Sequence, residues 1–250
     1  MTDAGRDWLT ARPIAHRGLH DAAVGVIENT AAAVAAAAQA GYGIEIDLQI
    51  SADGEAMVHH DDALGRLTDG SGALATMTAA AIRAVPFRAS AERIPTLGEI
   101  CDLVAGRVPL VLELKSRFDG DVRIAQRAAA VLAGYAGPAA AMSFDPMLVA
   151  ALRAVAPGLR RGIVAQRRYH DPVRTAAAAR ENLRLGYLLH APKSRPQFVA
   201  YAVTDLPAIA PAVARAVFGL PVLTWTVRTP QDLARAQRHA DQIIFEGFRP

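Results

Sequence analysis

Short apolar runs alternate with longer alanine-rich stretches from one end of the chain to the other. The runs fall at 13–15, 43–49, 56–59, 108–114, 139–144, 162–165, 198–203, 221–227 and 242–245. Most are near-continuously apolar, as expected of strands covered on both faces, and they lack the in–out alternation of a half-solvated sheet. Between them, the spacing predicts helices over 30–40, 96–104, 121–132, 146–154, 172–183, 208–217 and 229–238. Strands alternating with helices argue a parallel sheet, and about eight repeats of the unit argue closure into a TIM (β/α)8 barrel of the α/β class. The whole of 1–250 suits one such domain. Residues 62–95 break the rhythm: 64–72 is rich in turn residues, 78–85 reads as a short helix, and 87–93 is polar and irregular. This stretch is expected to be a small insertion after the second barrel strand, between the second and third βα units.

Composition narrows the function classes. The chain is 52% apolar and 20% charged, as in a soluble globular protein, and its net charge of +3 is spread along the sequence. No basic stripe interleaved with aromatics is present, so nucleic acid is not an expected partner. The opening MTDAGRDW has no apolar core of a signal peptide, and the longest apolar stretch, 216–227, is interrupted by Gly219 and Pro221. Cys101 is the only cysteine; it sits in a helical pattern as a buried thiol, and a cytoplasmic location follows as the expectation. The sequence does not set an oligomeric state.

The chemistry gathers at strand ends. Glu45 and Asp47 are two apart on one predicted strand and so share a face; Glu113 and Lys115 repeat the spacing on the third barrel strand. One such pair alone reads best as a solvated strand terminus, but two pairs ending apolar strands read as a site at the C-terminal mouth of a barrel. Three carboxylates converging there would repel one another unless a cation neutralises them. An all-oxygen set suits Mg²⁺ or Ca²⁺, not zinc. His16 ends the first strand and His60 follows the 56–59 run, where two imidazoles can serve as acid and base around a phosphoryl centre. Arg17 and Lys115 would offer positive charge to phosphate oxygens; Lys115 is one of only two lysines in the chain. His59 and His60 alternate on a strand, so one of them is a bystander. His20, His190 and His239 read as structural, and His170, in a polar turn, has no expected catalytic role. No G-x-G-x-x-G follows the first strand, which sets aside a dinucleotide-binding oxidoreductase.

The ordered set His16-Arg17, Glu28-Asn29-Thr30, Glu45-Ile46-Asp47, His60-Asp61-Asp62 with Leu64, Arg66 and Thr68, Ile94-Pro95-Thr96-Leu97, Glu113-Leu114-Lys115, Ser143-Phe144 and Thr224-Trp225-Thr226-Val227 resembles the glycerophosphodiester phosphodiesterase family. The resemblance runs from residue 13 to 227, and its specificity lies in the order of the set, since HRG or ExD alone is weak. It implies a TIM barrel and a divalent metal on Glu45, Asp47 and Glu113. It also implies His16 and His60 as the acid–base pair, with Arg17 and Lys115 on the phosphate. The expected reaction is hydrolysis of a small-molecule phosphodiester to sn-glycerol 3-phosphate and an alcohol. In it the neighbouring glycerol hydroxyl attacks phosphorus and water then opens the cyclic phosphate. The family-level setting is recovery of glycerol phosphate in lipid metabolism. Glu28 would support the site; Asn29 either supports it or caps the helix at Thr30; Trp225 packs either on the glycerol or within the barrel.

The chain departs from that pattern in places. Many members end the last strand in Thr-Asp before a proline, whereas here it reads Ile244-Phe245-Glu246-Gly247. Glu246 either replaces the aspartate or closes the barrel floor. Gln166 and Arg167-Arg168 lend a basic flavour to the end of the fifth strand, suited to an anionic leaving group. Two alternatives stand beside the hydrolase: a lysophospholipase D acting on lysophospholipids with the same site, and a non-catalytic barrel that binds a phosphorylated ligand. No amphipathic basic helix speaks for lipid docking.

Overall fold

A computed structural model describes residues 7–169 and 176–250. Residues 1–6, His170 and the opening residues 172–175 of the helix expected over 172–183 lie outside them. Among the described residues eleven strands form, in chain order: β1 (Ile14–Ala15), β2 (Gly43–Ile50), β3 (Ala56–Val58), β4 (Ala63–Leu64), β5 (Gly72–Ala73), β6 (Leu110–Leu114), β7 (Ala139–Ser143), β8 (Arg160–Ala165), β9 (Phe198–Ala202), β10 (Val222–Val227) and β11 (Gln242–Phe245). Eight of them, β1, β2 and β6 to β11, pair in parallel around a ring that closes where β1 meets both β2 and β11. The α-helices are α1 (Ala31–Gln39), α2 (Ala79–Ala84), α3 (Leu97–Val104), α4 (Arg123–Leu132), α5 (Pro146–Val155), α6 (Ala176–Gly186), α7 (Ala191–Ser194), α8 (Ile209–Phe218) and α9 (Pro230–His239). This is the expected TIM barrel.

Alternation along each strand sorts its side chains between two cores. Ile44, Ile46, Leu48 and Ile50 of β2, with Leu110, Leu112 and Leu114 of β6, face outward onto Val34, Ile100 and Val104. The intervening residues face the barrel lumen, where Ile14, Val111, Met142, Val164, Phe198, Leu223 and Ile244 pack together. Gly162 is required here, because a Cβ would lie 2.3 Å from the Phe198 ring. The N-terminal segment seals the floor: Leu9 enters the lumen cluster, Asp7 grips Arg160 through both carboxylate oxygens, and Gln242 Nε2 donates to Thr10 O at 2.8 Å. Helix starts follow local chemistry. Thr96 forms a capping box with Glu99, Thr229 another with Asp232, and Asp145 caps α5 ahead of Pro146.

The run at 56–59 forms its expected strand, outside the ring: β3 pairs antiparallel with β2 after a turn in which Gly54 takes φ +86°. One expectation is corrected. The insertion lies within the second βα unit and not between units, since α3 is the helix that follows β2 around the barrel. It has its own small core of Ile27, Met57, Leu64, Leu74, Ile82, Phe87 and Ile94. The short helix expected at 78–85 is α2. Among the described residues no helix is long and apolar enough to cross a membrane.

Candidate active site

Glu45 and Asp47 reach the lumen because β2 turns its isoleucines and leucines outward, and Asp47 stands in direct register with Glu113 on β6. All three carboxylates are buried, and one oxygen from each lies within 4.8 Å of the others. Burial first, then the charges of Asp47 and Glu113, push the Glu45 carboxyl well above the usual range. Burial acts on Asp47 in the same direction, but Lys115 and Arg17 outweigh it and hold this carboxyl well below that range. Lys115 Nζ donates to Glu113 Oε1 at 2.5 Å and lies 2.7 Å from Asp47 Oδ1. Glu45 Oε1 is buried with no hydrogen-bond partner among the described residues. Such an orphaned oxygen beside two more carboxylates is what a hard divalent cation would satisfy, so these residues fit a Mg²⁺- or Ca²⁺-type ion.

The loop after β1 folds over this trio. Arg17 and Asn29 both adopt left-handed backbone, with φ of 56° and 60°. The Arg17 amide donates to Glu45 Oε2 at 3.0 Å, its guanidinium donates to Glu28 Oε1 at 2.7 Å, and its Nε lies 3.2 Å from Asp47 Oδ2. Asn29 donates from Nδ2 to Asp47 Oδ2 at 2.8 Å and accepts the Asp47 amide at 3.1 Å. The helix-cap alternative for Asn29 is therefore corrected: Thr30 is the cap, accepting from Ala33 N, and Asn29 holds the acid.

His16, Arg17, Glu45, His60, Glu113, Lys115 and Trp225 line one cavity of about 300 Å³ at the mouth, with Asp47 buried beneath it. Of the adjacent histidines, His60 faces the cavity, while His59 is buried at 2% exposure. Trp225 lines the cavity, and its ring stands edge-on to Phe144 at 5.6 Å. Its Nε1 donates to Ala200 O at 3.2 Å. Gln166 also lines the cavity, whereas Arg167 and Arg168 are not among its lining residues, so the expected basic flavour is not delivered there.

Several groups beyond the candidates belong to the same place. Glu246 lies at the mouth and not on the floor, with Oε2 2.6 Å from His16 Nδ1. His20, expected to be structural, stands beside the pair, its Nε2 3.9 Å from Glu246 Oε2. The contacts of His16 first, then the nearby His20 imidazole and the Arg228 guanidinium, hold the Glu246 carboxyl far below its usual range. Asp61 contacts His60 Nδ1 at 2.7 Å, and Arg66 from the insertion reaches Asp61 and Glu28, both at 2.6 Å. Arg228, Thr204 and Thr226 complete the rim. The acidic pair and both histidines were visible as strand-end residues, but no spacing rule links Glu246 to His16 across 230 residues.

Known proteins bear the same stamp. Residues 16–245 match the Glycerophosphoryl diester phosphodiesterase family. Glycerophosphodiester phosphodiesterase 1 of Rattus norvegicus is 36% identical over 125 residues, covering 46% of this chain and 36% of the rat protein. Glycerophosphodiester phosphodiesterase of Caldanaerobacter subterraneus is 39% identical over 111 residues, covering 41% of this chain and 44% of its own. The matched regions thus span well under half the length of these relatives. An Oleispira antarctica phosphodiesterase solved with the product sn-glycerol-3-phosphate superposes with a TM-score of 0.76 at 22% identity, over 96% of this chain and 95% of that one, which is a likeness of fold. With the family's match covering nearly the whole barrel and the ordered acids and histidines meeting at its mouth, the chain belongs to the glycerophosphoryl diester phosphodiesterase family.

Proposed function

We propose that this barrel hydrolyses glycerophosphodiesters to sn-glycerol 3-phosphate and an alcohol, in a single domain and with a divalent cation bound by Glu45, Asp47 and Glu113. The observation that carries this reading is the convergence of three buried carboxylates, two imidazoles and two cationic side chains on one cavity. Such a cation, when bound, supplies Lewis acidity at the phosphoryl oxygen and acidifies a nearby hydroxyl. Arg17 and Lys115 bind the remaining phosphoryl oxygens, and each is already fixed against the acids by short contacts. One of His16 and His60 takes the proton of the attacking hydroxyl. The other gives a proton to the departing alcohol oxygen as the P–O bond breaks, and the roles reverse when water opens a cyclic phosphate. Trp225 and Phe144 offer an apolar wall to the glycerol carbons. The product held by the Oleispira relative is the one this reading predicts.

The test is release of glycerol 3-phosphate from a panel of glycerophosphodiesters, assayed with EDTA and again after Mg²⁺ or Ca²⁺ is restored. Release should vanish with EDTA, return with metal, and be absent in His16→Ala and in Glu45→Ala/Asp47→Ala protein that keeps the native circular dichroism. Turnover that persists in the double variant would sink the metal assignment. Folded, metal-loaded protein that cleaves no diester would overturn the reaction itself.

A further inference from the structure

Both imidazoles in the cavity are held from behind in the same manner. Glu246 Oε2 lies 2.6 Å from His16 Nδ1, and Arg228 donates to that carboxylate from Nε at 3.1 Å and Nη2 at 3.2 Å. Asp61 Oδ1 lies 2.7 Å from His60 Nδ1, and Arg66 Nε donates to Asp61 Oδ2 at 2.6 Å. The sequence origins of the two assemblies have nothing in common. Glu246 and Arg228 follow the last two barrel strands, whereas Asp61 lies just after β3 and Arg66 within the insertion. A guanidinium–carboxylate–imidazole relay has thus been built twice, once on each side of the cavity.

A neutral imidazole carries a single N–H. A carboxylate at Nδ1 accepts that proton, which leaves Nε2 as the free base, or as the second donor once the ring is charged. His60 most needs such a restraint, being 34% exposed with few neighbours to fix its ring. The arginines are about half exposed, where an ion pair adds little stability. Their consequence is therefore orientation: Arg66 occupies Asp61 Oδ2 and leaves Oδ1 to His60, while Arg228 bridges both oxygens of Glu246 and fixes the plane in which Oε2 meets His16. From this geometry we infer that Glu246 and Asp61 are positioning residues, each locking one histidine with Nδ1 protonated and Nε2 turned to the substrate, and that Arg228 and Arg66 hold them in place. The inference rests on the reading of His16 and His60 as the acid–base pair. Arg66 has a second tie, since its Nη2 meets Glu28 at 2.6 Å and Glu28 in turn holds Arg17. A single residue of the insertion thus sets His60 and, through Glu28, the phosphate-binding guanidinium.

The near-isosteric variants Glu246→Gln and Asp61→Asn test this. In Asp61→Asn, Arg66 claims the amide oxygen and NH₂ faces His60 Nδ1, forcing the opposite tautomer; in Glu246→Gln, one of the two oxygens that Arg228 and His16 share becomes NH₂, and the Nδ1–H tautomer of His16 loses its hold. We expect kcat to fall at least about 10-fold in each, with KM little changed, as tautomer errors in other acid–base pairs lead one to expect. Arg66→Met should instead lower kcat and raise KM together. Ring ¹⁵N spectra of the substrate-free protein give a readout independent of turnover. Wild type should show Nδ1–H tautomers at His16 and His60, with His16 switched by Glu246→Gln alone and His60 by Asp61→Asn alone. An active wild type whose variants keep both their kcat and their ring tautomers would overturn the relay. A wild type that cleaves no diester but shows these tautomer shifts would leave the relay standing and bring down the reaction.

Discussion

Gly18 follows the cavity-lining pair His16-Arg17 with φ +80°, and a Cβ there would lie 2.7 Å from the backbone carbon of Ala33. Neither side can yield, because Ala33 is part of α1. Gly18→Ala combines a left-handed alanine with a backbone clash and should cost about 3 kcal/mol, on the order of 10 °C in Tm for a chain of this size. A thermal melt of the variant checks this, and an unchanged Tm would contradict it. Asn29 is the second residue under constraint. Its side chain satisfies both the carboxylate and the amide of Asp47 from a left-handed backbone. Asn29→Ala leaves the buried Asp47 amide unpaired and takes one donor from its carboxylate, for a loss of about 2 kcal/mol. Turnover should fall as well, because the acid loses its aim; native-like kcat with a native-like Tm would refute both parts. The sequence made the acids legible through their i, i+2 spacing, but it left the role of Asn29 open. A residue before a threonine at a helix start looks like a cap, and only the crossing of the loop over β2 reveals the other partner.

Among the elements, strand ends carried most of what could be read in advance. An apolar strand that stops in a charged residue announces a barrel mouth, and β1, β2 and β6 all deliver their residues there. The 56–59 run could not be placed in this way, because apolar periodicity does not distinguish a ring strand from a hairpin partner. The Gly54 turn settles it. Relays through Glu246 and Arg66 were hidden for a similar reason, as they join elements whose proximity exists only once the barrel is closed. The short α7 went unread, and it carries a consequence at low pH. His190 at its start is buried, bonds Ser194 Oγ through Nδ1 at 3.0 Å, and is held down at about 4, by burial first and Arg184 second. Above pH 6.5 the folded and unfolded chains are both neutral at this ring, so its full contribution is present. As pH falls from 6.5 towards 4, the unfolded chain takes up a proton that the folded one refuses, and stability is lost, by roughly 2 kcal/mol at most after allowing for solvent screening. His16 and His59, also lowered by burial, act in the same direction. The contribution of His190 is therefore the difference between wild type and His190→Gln in urea midpoint over that window. The variant should show the shallower acid slope, and parallel slopes would exclude the effect.

At the scale of the molecule, the ring is closed by its shortest strand. β1 contributes only Ile14 and Ala15 to both of its seams, yet His16 leaves it directly, with its amide on Phe245 O at 2.9 Å. The two walls of that seam are separated by 230 residues, and joining them costs about 5 kcal/mol in loop-closure entropy. Regain of activity on refolding should therefore lag behind far-UV circular dichroism, because helices and interior strand pairs can form before the seam does. Coincident phases would argue against an order of this kind. A chain emerging from the ribosome meets the same order of events. His16, the acidic trio and His60 are all made well before β11, but one edge of β1 stays bare until β11 arrives. The growing polypeptide therefore carries its chemistry as an inert cargo until that strand docks.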